Sequence, residues 1–137
     1  MVDKARLARA TGHALSGLLI AFMVFDAGAK LVPLDVVMTT TAELGYPRSP
    51  ALTRTLGLVG LACTMLYAFP RTAVLGAILI TAYMGGAVAT HLRVGSPLFS
   101  HILFGAYLAM IAWAGLFLRD ARIRALLPLR MPPAAPR

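Results

Sequence analysis

The sequence predicts an all-α protein, a four-helix transmembrane bundle with both termini in the cytoplasm. Hydrophobic residues make up 59% of its 137 residues and charged residues only 13%, whereas soluble proteins carry roughly 25% charged residues. Four apolar runs are long enough to cross a bilayer, which takes about 20 residues. Most Lys and Arg residues lie outside these runs. Lipid must therefore cover much of the surface.

The first apolar run follows a basic N-terminal lead, residues 1–12, and covers about residues 13–32. Its basic start, its apolar core and the small residues Ala27-Gly28-Ala29 also resemble a secretory signal with a cleavage site. Because three more apolar runs follow and Asp26 lies beside the proposed cut, we favour a transmembrane helix.

The connection after the first span, residues 33–51, mixes apolar side chains with acidic residues and threonines. This mixture suits a short helix lying at the membrane interface. Pro70, in the tight turn between the second and third spans, can occupy the first position of the third helix. The later spans are predicted at about residues 52–69, 71–92 and 98–118.

The chain ends in a basic tail, residues 119–137, whose Pro-rich part at 132–136 we expect to be disordered. Nine Lys and Arg residues lie on the side of the two termini and four on the other side. Cytoplasmic segments carry the excess of Lys and Arg, so both termini should face the cytoplasm, in a bacterial inner membrane. The net charge of +8 comes without a nucleic-acid-binding module, so nucleic acid is not an expected partner.

Ionisable residues from all four spans converge at the non-cytoplasmic helix ends. Asp26 and Lys30 are four residues apart and can pair on one helical face. An unpaired carboxylate at this depth would be costly, so Asp26 should pair, become protonated or face a wet cavity. Basic side chains at helix ends can also reach out to the lipid headgroups, which is the alternative for Lys30, Arg54 and Arg93.

We therefore predict a polar pocket, with acid–base and ligand-binding candidates. The catalytic candidates are Asp26, His91 and His101. The ligand-binding candidates are Lys30, Arg93, Tyr83 and Glu43. A histidine can donate or accept a proton near neutral pH, since its unperturbed pKa is about 6.5. Two histidines without a nearby cysteine are a weak metal signature, so we predict no metal site.

Four stretches of the sequence carry a family resemblance. They are Phe25–Lys30, Leu44–Pro47, Tyr67–Ala77 and Tyr83–Arg93. Together they resemble the small DoxX-like membrane proteins, over roughly residues 13–128. The resemblance implies a four-helix membrane bundle and carries over Lys30, His91 and Arg93 as functional positions. The wider family is similar to subunits of a thiosulfate:quinone oxidoreductase and to small membrane proteins that act as assembly partners.

Two functions are compatible with these features. In the first, the pocket binds a lipophilic carbonyl-bearing or quinone-like molecule, with acid–base or redox-linked chemistry. The single cysteine, Cys63, excludes an intrachain disulfide and a thiol redox pair. In the second, the protein is a non-catalytic assembly or accessory subunit of a membrane complex. Its small-residue faces would then pack against a partner or another copy. These faces are Thr53/Gly57/Gly60/Thr64 and Gly85/Gly86.

Overall fold

The computed structural model describes residues 3–32 and 34–126, and every regular element in these ranges is helical. The helices are α1 (Lys4–Leu31), α2 (Asp35–Glu43), α3 (Pro50–Ala68), α4 (Ala73–Arg93), α5 (Phe104–Arg119) and α6 (Ala121–Leu126). A π-helical turn, Leu98–Ile102, leads into α5. The segment at 132–136, which we expect to be disordered, lies outside the described residues.

Among the described residues, four helical segments are long and apolar enough to cross a membrane, which confirms the predicted all-α fold with four spans. They are α1, α3, α4 and the combined segment Leu98–Arg119, with lengths of 28, 19, 21 and 22 residues. A short helix, α2, lies between the first two spans. Ala27, at the possible cleavage site, is 1% exposed inside α1 and belongs to the core.

The helix α1 begins at Lys4, well before the predicted start of the first span at residue 13. The side chain of Asp3 caps it by accepting a hydrogen bond from the Ala5 backbone N–H at 3.1 Å. Alanine, leucine and arginine, which favour helix, dominate residues 4–10. The basic N-terminal lead is therefore mostly the first part of α1.

Proline begins α3 rather than α4. Pro50 occupies the first turn of α3, behind the capping residue Ser49. Pro70 instead lies in the turn before α4, which begins at Ala73, so the prediction that Pro70 starts the third helix was wrong. The turn is stabilised by a hydrogen bond of its own, which the Thr72 hydroxyl donates to the Leu66 carbonyl at 2.7 Å.

The four spans form a ring in which α1 and α4 each pack against both α3 and α5. Consecutive spans run in opposite directions, so the ring has two different ends. The terminal end carries the start of α1, the α3–α4 turn and the end of α5. The α2 end carries the end of α1, the helix α2, the end of α4 and the π-helical turn.

The terminal end is tightly closed around Tyr67, which is fully buried. The Tyr67 hydroxyl donates to the Ala112 carbonyl at 2.9 Å. It also lies 2.9 Å from the Ser16 hydroxyl, which must be the donor because a tyrosine hydroxyl has only one hydrogen. Polar side chains that bond across helices in this way hold membrane helices together. Tyr67 thus joins α3 to both α1 and α5.

Glycines permit this close approach of the helices. A Cβ atom at Gly76 would lie 2.2 Å from the Tyr67 backbone nitrogen, and one at Gly115 would lie 2.5 Å from the Ser16 hydroxyl oxygen. A Cβ atom at Gly12 would lie 2.8 Å from the backbone nitrogen of Arg119. Only glycine fits at these three positions, one at the α3–α4 crossing and two at the α1–α5 crossing.

We expect Gly76→Ala to lower the free energy of unfolding by about 1–3 kcal/mol, because the added methyl group would overlap the α3 backbone. The matched control is Gly85→Ala, whose new Cβ would meet no described heavy atom within 4 Å. Unfolding of both variants by SDS titration in mixed micelles measures the difference. Equal stability of the two variants would contradict the close α3–α4 contact.

Candidate functional site

A partly open cavity of about 400 Å³ lies at the α2 end. Its wall comes from α1, α3, α4 and α5, together with the π-helical turn and the α2 segment, by which we mean α2 and the residues that follow it as far as Tyr46. The lining residues are Phe22, Asp26, Lys30, Thr41, Leu44, Tyr46, Leu56, Ala82, Tyr83, Met84, Gly86, Ala87, Thr90, His91, His101, Phe104, Gly105 and Leu108. Distant parts of the sequence therefore meet around one space.

The part of the cavity nearer the bundle centre is apolar. Phe22 and Phe104 meet edge to face with ring centroids 5.4 Å apart, and Leu108 and Met84 complete this part of the wall. Gly105 lets α5 approach α4 closely, since a Cβ there would lie 2.9 Å from the Met84 carbonyl oxygen. An apolar molecule fits this region, because few of its wall atoms need hydrogen bonds.

Asp26 and Lys30 form the expected ion pair within the last turns of α1. Their side chains are 32% and 20% exposed, so both are partly removed from solvent. The neighbouring helix α3 approaches Lys30 closely, since a Cβ at Gly57 would lie 3.0 Å from the Lys30 Cβ atom. Each charge offsets the desolvation of the other, which makes the pair tolerable in an apolar wall.

His91 and His101 lie beside each other although they belong to different elements. Their ring centroids are 5.6 Å apart and the ring planes are inclined by 61°. His91 Nδ1 lies 3.0 Å from the Ser96 hydroxyl oxygen, and His101 Nδ1 lies 2.8 Å from that of Ser100. These contacts orient the rings and leave Nε2 of each imidazole as the nitrogen that can meet a ligand.

A glycine C-cap at the end of α4 brings the two histidines together. Gly95 has a φ of +69°, which glycine adopts at little cost. The Ser96 backbone N–H then bonds to the His91 carbonyl at 3.0 Å, and the Gly95 N–H to the Leu92 carbonyl at 3.1 Å. This is the Schellman pattern, and it turns the chain back toward the site.

Two tyrosines form hydrogen bonds between the elements that make up the cavity wall. The Tyr83 hydroxyl on α4 donates to the Leu56 carbonyl on α3 at 3.1 Å. Tyr46 follows α2, and its hydroxyl lies 3.2 Å from that of Thr90. Thr90 donates its own hydrogen to the Gly86 carbonyl at 2.8 Å, so Tyr46 is the donor to Thr90.

Two of the predicted ligand-binding residues lie away from the cavity wall. Glu43 is exposed at the end of α2. The Arg93 guanidinium donates to the Leu44 carbonyl at 2.6 Å and lies against Gly45, whose φ is +84°. Arg93 thus fastens the α2 segment to the end of α4. The other five predicted site residues line the cavity: Asp26, Lys30, Tyr83, His91 and His101.

Sequence reasoning missed several wall residues, including Thr41, Tyr46 and Thr90 as polar groups and Phe22 and Phe104 as apolar ones. Tyr46 and Thr90 lie within two of the stretches that carry the family resemblance, and this position was the sequence feature that could have identified them as site residues. The two phenylalanines look like any lipid-facing residue of a span. Within residues 3–32 and 34–126, no group of three or more His, Cys, Asp or Glu side chains could hold a metal ion.

The model of a family described as DoxX-like matches residues 14–115, well over half of the chain. No curated protein and no solved structure matches the chain.

A double-mutant cycle on Asp26→Asn and Lys30→Met should give a coupling energy of about 0.5–3 kcal/mol, because the two charges are partly desolvated together. Each single variant leaves one charge without its partner, whereas the double variant removes both. SDS titration of the wild type and the three variants measures the coupling. Additive effects would show that the two side chains do not stabilise each other.

Proposed function

This protein belongs to the DoxX-like family and is an integral membrane protein, and we propose that it binds a lipophilic carbonyl-bearing or quinone-like molecule at the α2 end. One observation carries the proposal. Five ionisable or phenolic side chains from three of the four spans line a single cavity whose inner part is apolar. Its volume of about 400 Å³ is in the usual range for small-molecule sites.

The arrangement suits a ligand with an oxygen-bearing head. The Lys30 ammonium carries three hydrogens and is held by Asp26, so it has donors to spare for a carbonyl oxygen. The apolar surroundings strengthen such a bond, because water competes for it less. In this proposal Lys30 fixes the head of the ligand.

The two histidines are the proposed proton carriers. Each imidazole is oriented through Nδ1 by a serine hydroxyl, which leaves its Nε2 to donate a proton to a ligand or accept one from it. Asp26 holds the Lys30 charge and, as a carboxylate, can accept a proton from the site. A proton delivered to a ligand oxygen is the general acid–base step that these groups can perform.

We further propose that the α2 end faces away from the cytoplasm of a bacterial inner membrane. Seven Lys and Arg residues of the described ranges lie at the terminal end: Lys4, Arg6, Arg9, Arg71, Arg119, Arg122 and Arg124. At the α2 end, two of the four basic residues pair with carboxylates, Lys30 with Asp26 and Arg48 with Asp35. The excess of positive charge at the terminal end supports a cytoplasmic position for it.

The second candidate function is that of an assembly or accessory subunit. The face Thr53/Gly57/Gly60/Thr64 is buried within the chain, whereas Gly85 and Gly86 are exposed. An exposed pair of glycines on a membrane helix can admit a second helix. Native mass spectrometry of gently extracted protein separates the two candidates. A retained lipophilic molecule supports the first, and a stoichiometric partner chain supports the second.

His91→Gln should weaken the binding of a quinone on the order of tenfold, which corresponds to one lost hydrogen bond. The matched control is His13→Gln, because His13 is exposed on α1 and does not line the cavity. Equilibrium dialysis in detergent micelles measures the affinity, and the melting temperature confirms folding. Equal affinities of both variants and the wild type would exclude His91 from the binding site.

A fluorescent protein fused to the C-terminus should fluoresce, and alkaline phosphatase at the same position should be inactive, because that end is cytoplasmic. Alkaline phosphatase fused after Arg48 should be active, since this residue lies at the α2 end. The opposite pattern would place the cavity on the cytoplasmic side.

A further inference from the structure

We propose that the cavity opens sideways into the bilayer between α3 and α4, and that the ligand carries a linear apolar tail which leaves through this opening. The inference rests on the proposed function and deepens it. It identifies the ligand as a tailed amphiphile, with its head at the ionisable groups and its chain in contact with lipid.

The cavity extends around one side of α4. Met84 and Gly86 both line it, yet they are two positions apart and point to nearly opposite sides of the helix, about 200° apart. Met84 is 6% exposed and packs in the core, whereas Gly86 and Ala82 lie on the exposed face. A space that reaches both faces must pass beside α4 to the outside of the bundle.

The position of the opening follows from the residues between these two faces. Tyr83 and Thr90 lie on the side of α4 that faces α3 and the α2 segment, and Leu56 of α3 stands opposite them. The hydrogen bond from Tyr83 to the Leu56 carbonyl bounds the opening toward the bundle centre. The bond between Tyr46 and Thr90 bounds it toward the α2 end. Two tyrosines therefore frame a gap between α3 and α4.

The edge of the gap on α4 is formed by the smallest side chains. A Cβ atom built at Gly86 meets no described heavy atom within 4 Å, and the adjacent wall residue is Ala82. Gly86 precedes the end of α4 by seven residues, so it lies about 10 Å below that end. At this depth an emerging chain meets lipid tails rather than water.

The chemistry of the occupant follows from the chemistry of the wall. The ionisable groups stand on α1, α4 and the π-helical turn, while the gap is lined by Leu56, Ala82, Gly86 and the tyrosine rings. A polar substituent would lose its hydrogen bonds to water on entering lipid, which costs free energy, whereas an alkyl or isoprenoid chain has no hydrogen bonds to lose. A ligand with its head at Lys30 and the histidines can therefore extend an apolar chain through the gap.

The experiment compares two probes on three proteins. The probes are a benzoquinone with a decyl chain and the same ring without a chain, and the proteins are the wild type, Gly86→Leu and Gly85→Leu. Gly85 is the matched control, because a Cβ there also meets no described heavy atom within 4 Å but Gly85 is not a lining residue. Affinities are measured by equilibrium dialysis in one detergent, with melting temperatures as the folding check.

We expect Gly86→Leu to weaken binding of the decyl probe at least tenfold and to leave the chainless probe unchanged, because the leucine side chain fills the gap. Gly85→Leu should change neither affinity. A decyl probe with a diazirine at the chain tip should label wild-type α3 and α4 near Leu56 and Ala82, which tests the path without a substitution.

Three results would overturn this inference and leave the proposed function intact. These are an unchanged affinity of Gly86→Leu for the decyl probe, an equal loss for both probes, and labelling confined to the inner residues. Loss of a co-purified phospholipid from Gly86→Leu, with unchanged affinity for the decyl probe, would assign the gap to a bilayer lipid and overturn it too. If the wild type binds neither probe, the proposed function fails together with the inference.

Discussion

The close crossing of α3 with its neighbours at Tyr67 is the constraint on which the rest of the bundle depends. One phenol hydroxyl bonds to a side chain of α1 and to a carbonyl of α5, while Gly76 brings the α4 backbone against the Tyr67 backbone. Between membrane helices there is little hydrophobic driving force, so packing and such bonds supply the stability. The terminal end is therefore fixed, and the helices can leave a space at the other end.

The wall of that space carries ionisable side chains, whose burial within a membrane costs free energy. The pairing of Asp26 with Lys30 and the serine contacts of the two histidines offset part of this cost. Arg93 and Tyr46 have a structural role, because their hydrogen bonds hold the α2 segment against α4. The α2 segment thereby covers the polar end of the cavity, while the gap beside Gly86 is left between two helices.

The candidate site was only partly predictable, and the reason is geometric. Asp26, Lys30 and His91 stand out because charged and titratable residues are rare in apolar runs. Phe22, Leu56 and Phe104 could not be recognised, since an apolar residue in a span looks the same whether it faces lipid or a cavity. Arg93 and Glu43 were grouped with the site by their position at a helix end, but a side chain at the same height can point to either side of the helix.

By itself the sequence determined the number of spans, the helical fold and the end of the bundle that holds the ionisable residues, because the bilayer requires long apolar helices with satisfied backbones. It also determined the pairing of Asp26 with Lys30, which depends only on helical periodicity. The tertiary structure decided that His91 and His101 meet, that Tyr67 joins three helices, and that Gly86 lines the cavity. These features depend on how each helix is rotated about its axis, and that rotation is set by packing between residues far apart in the chain.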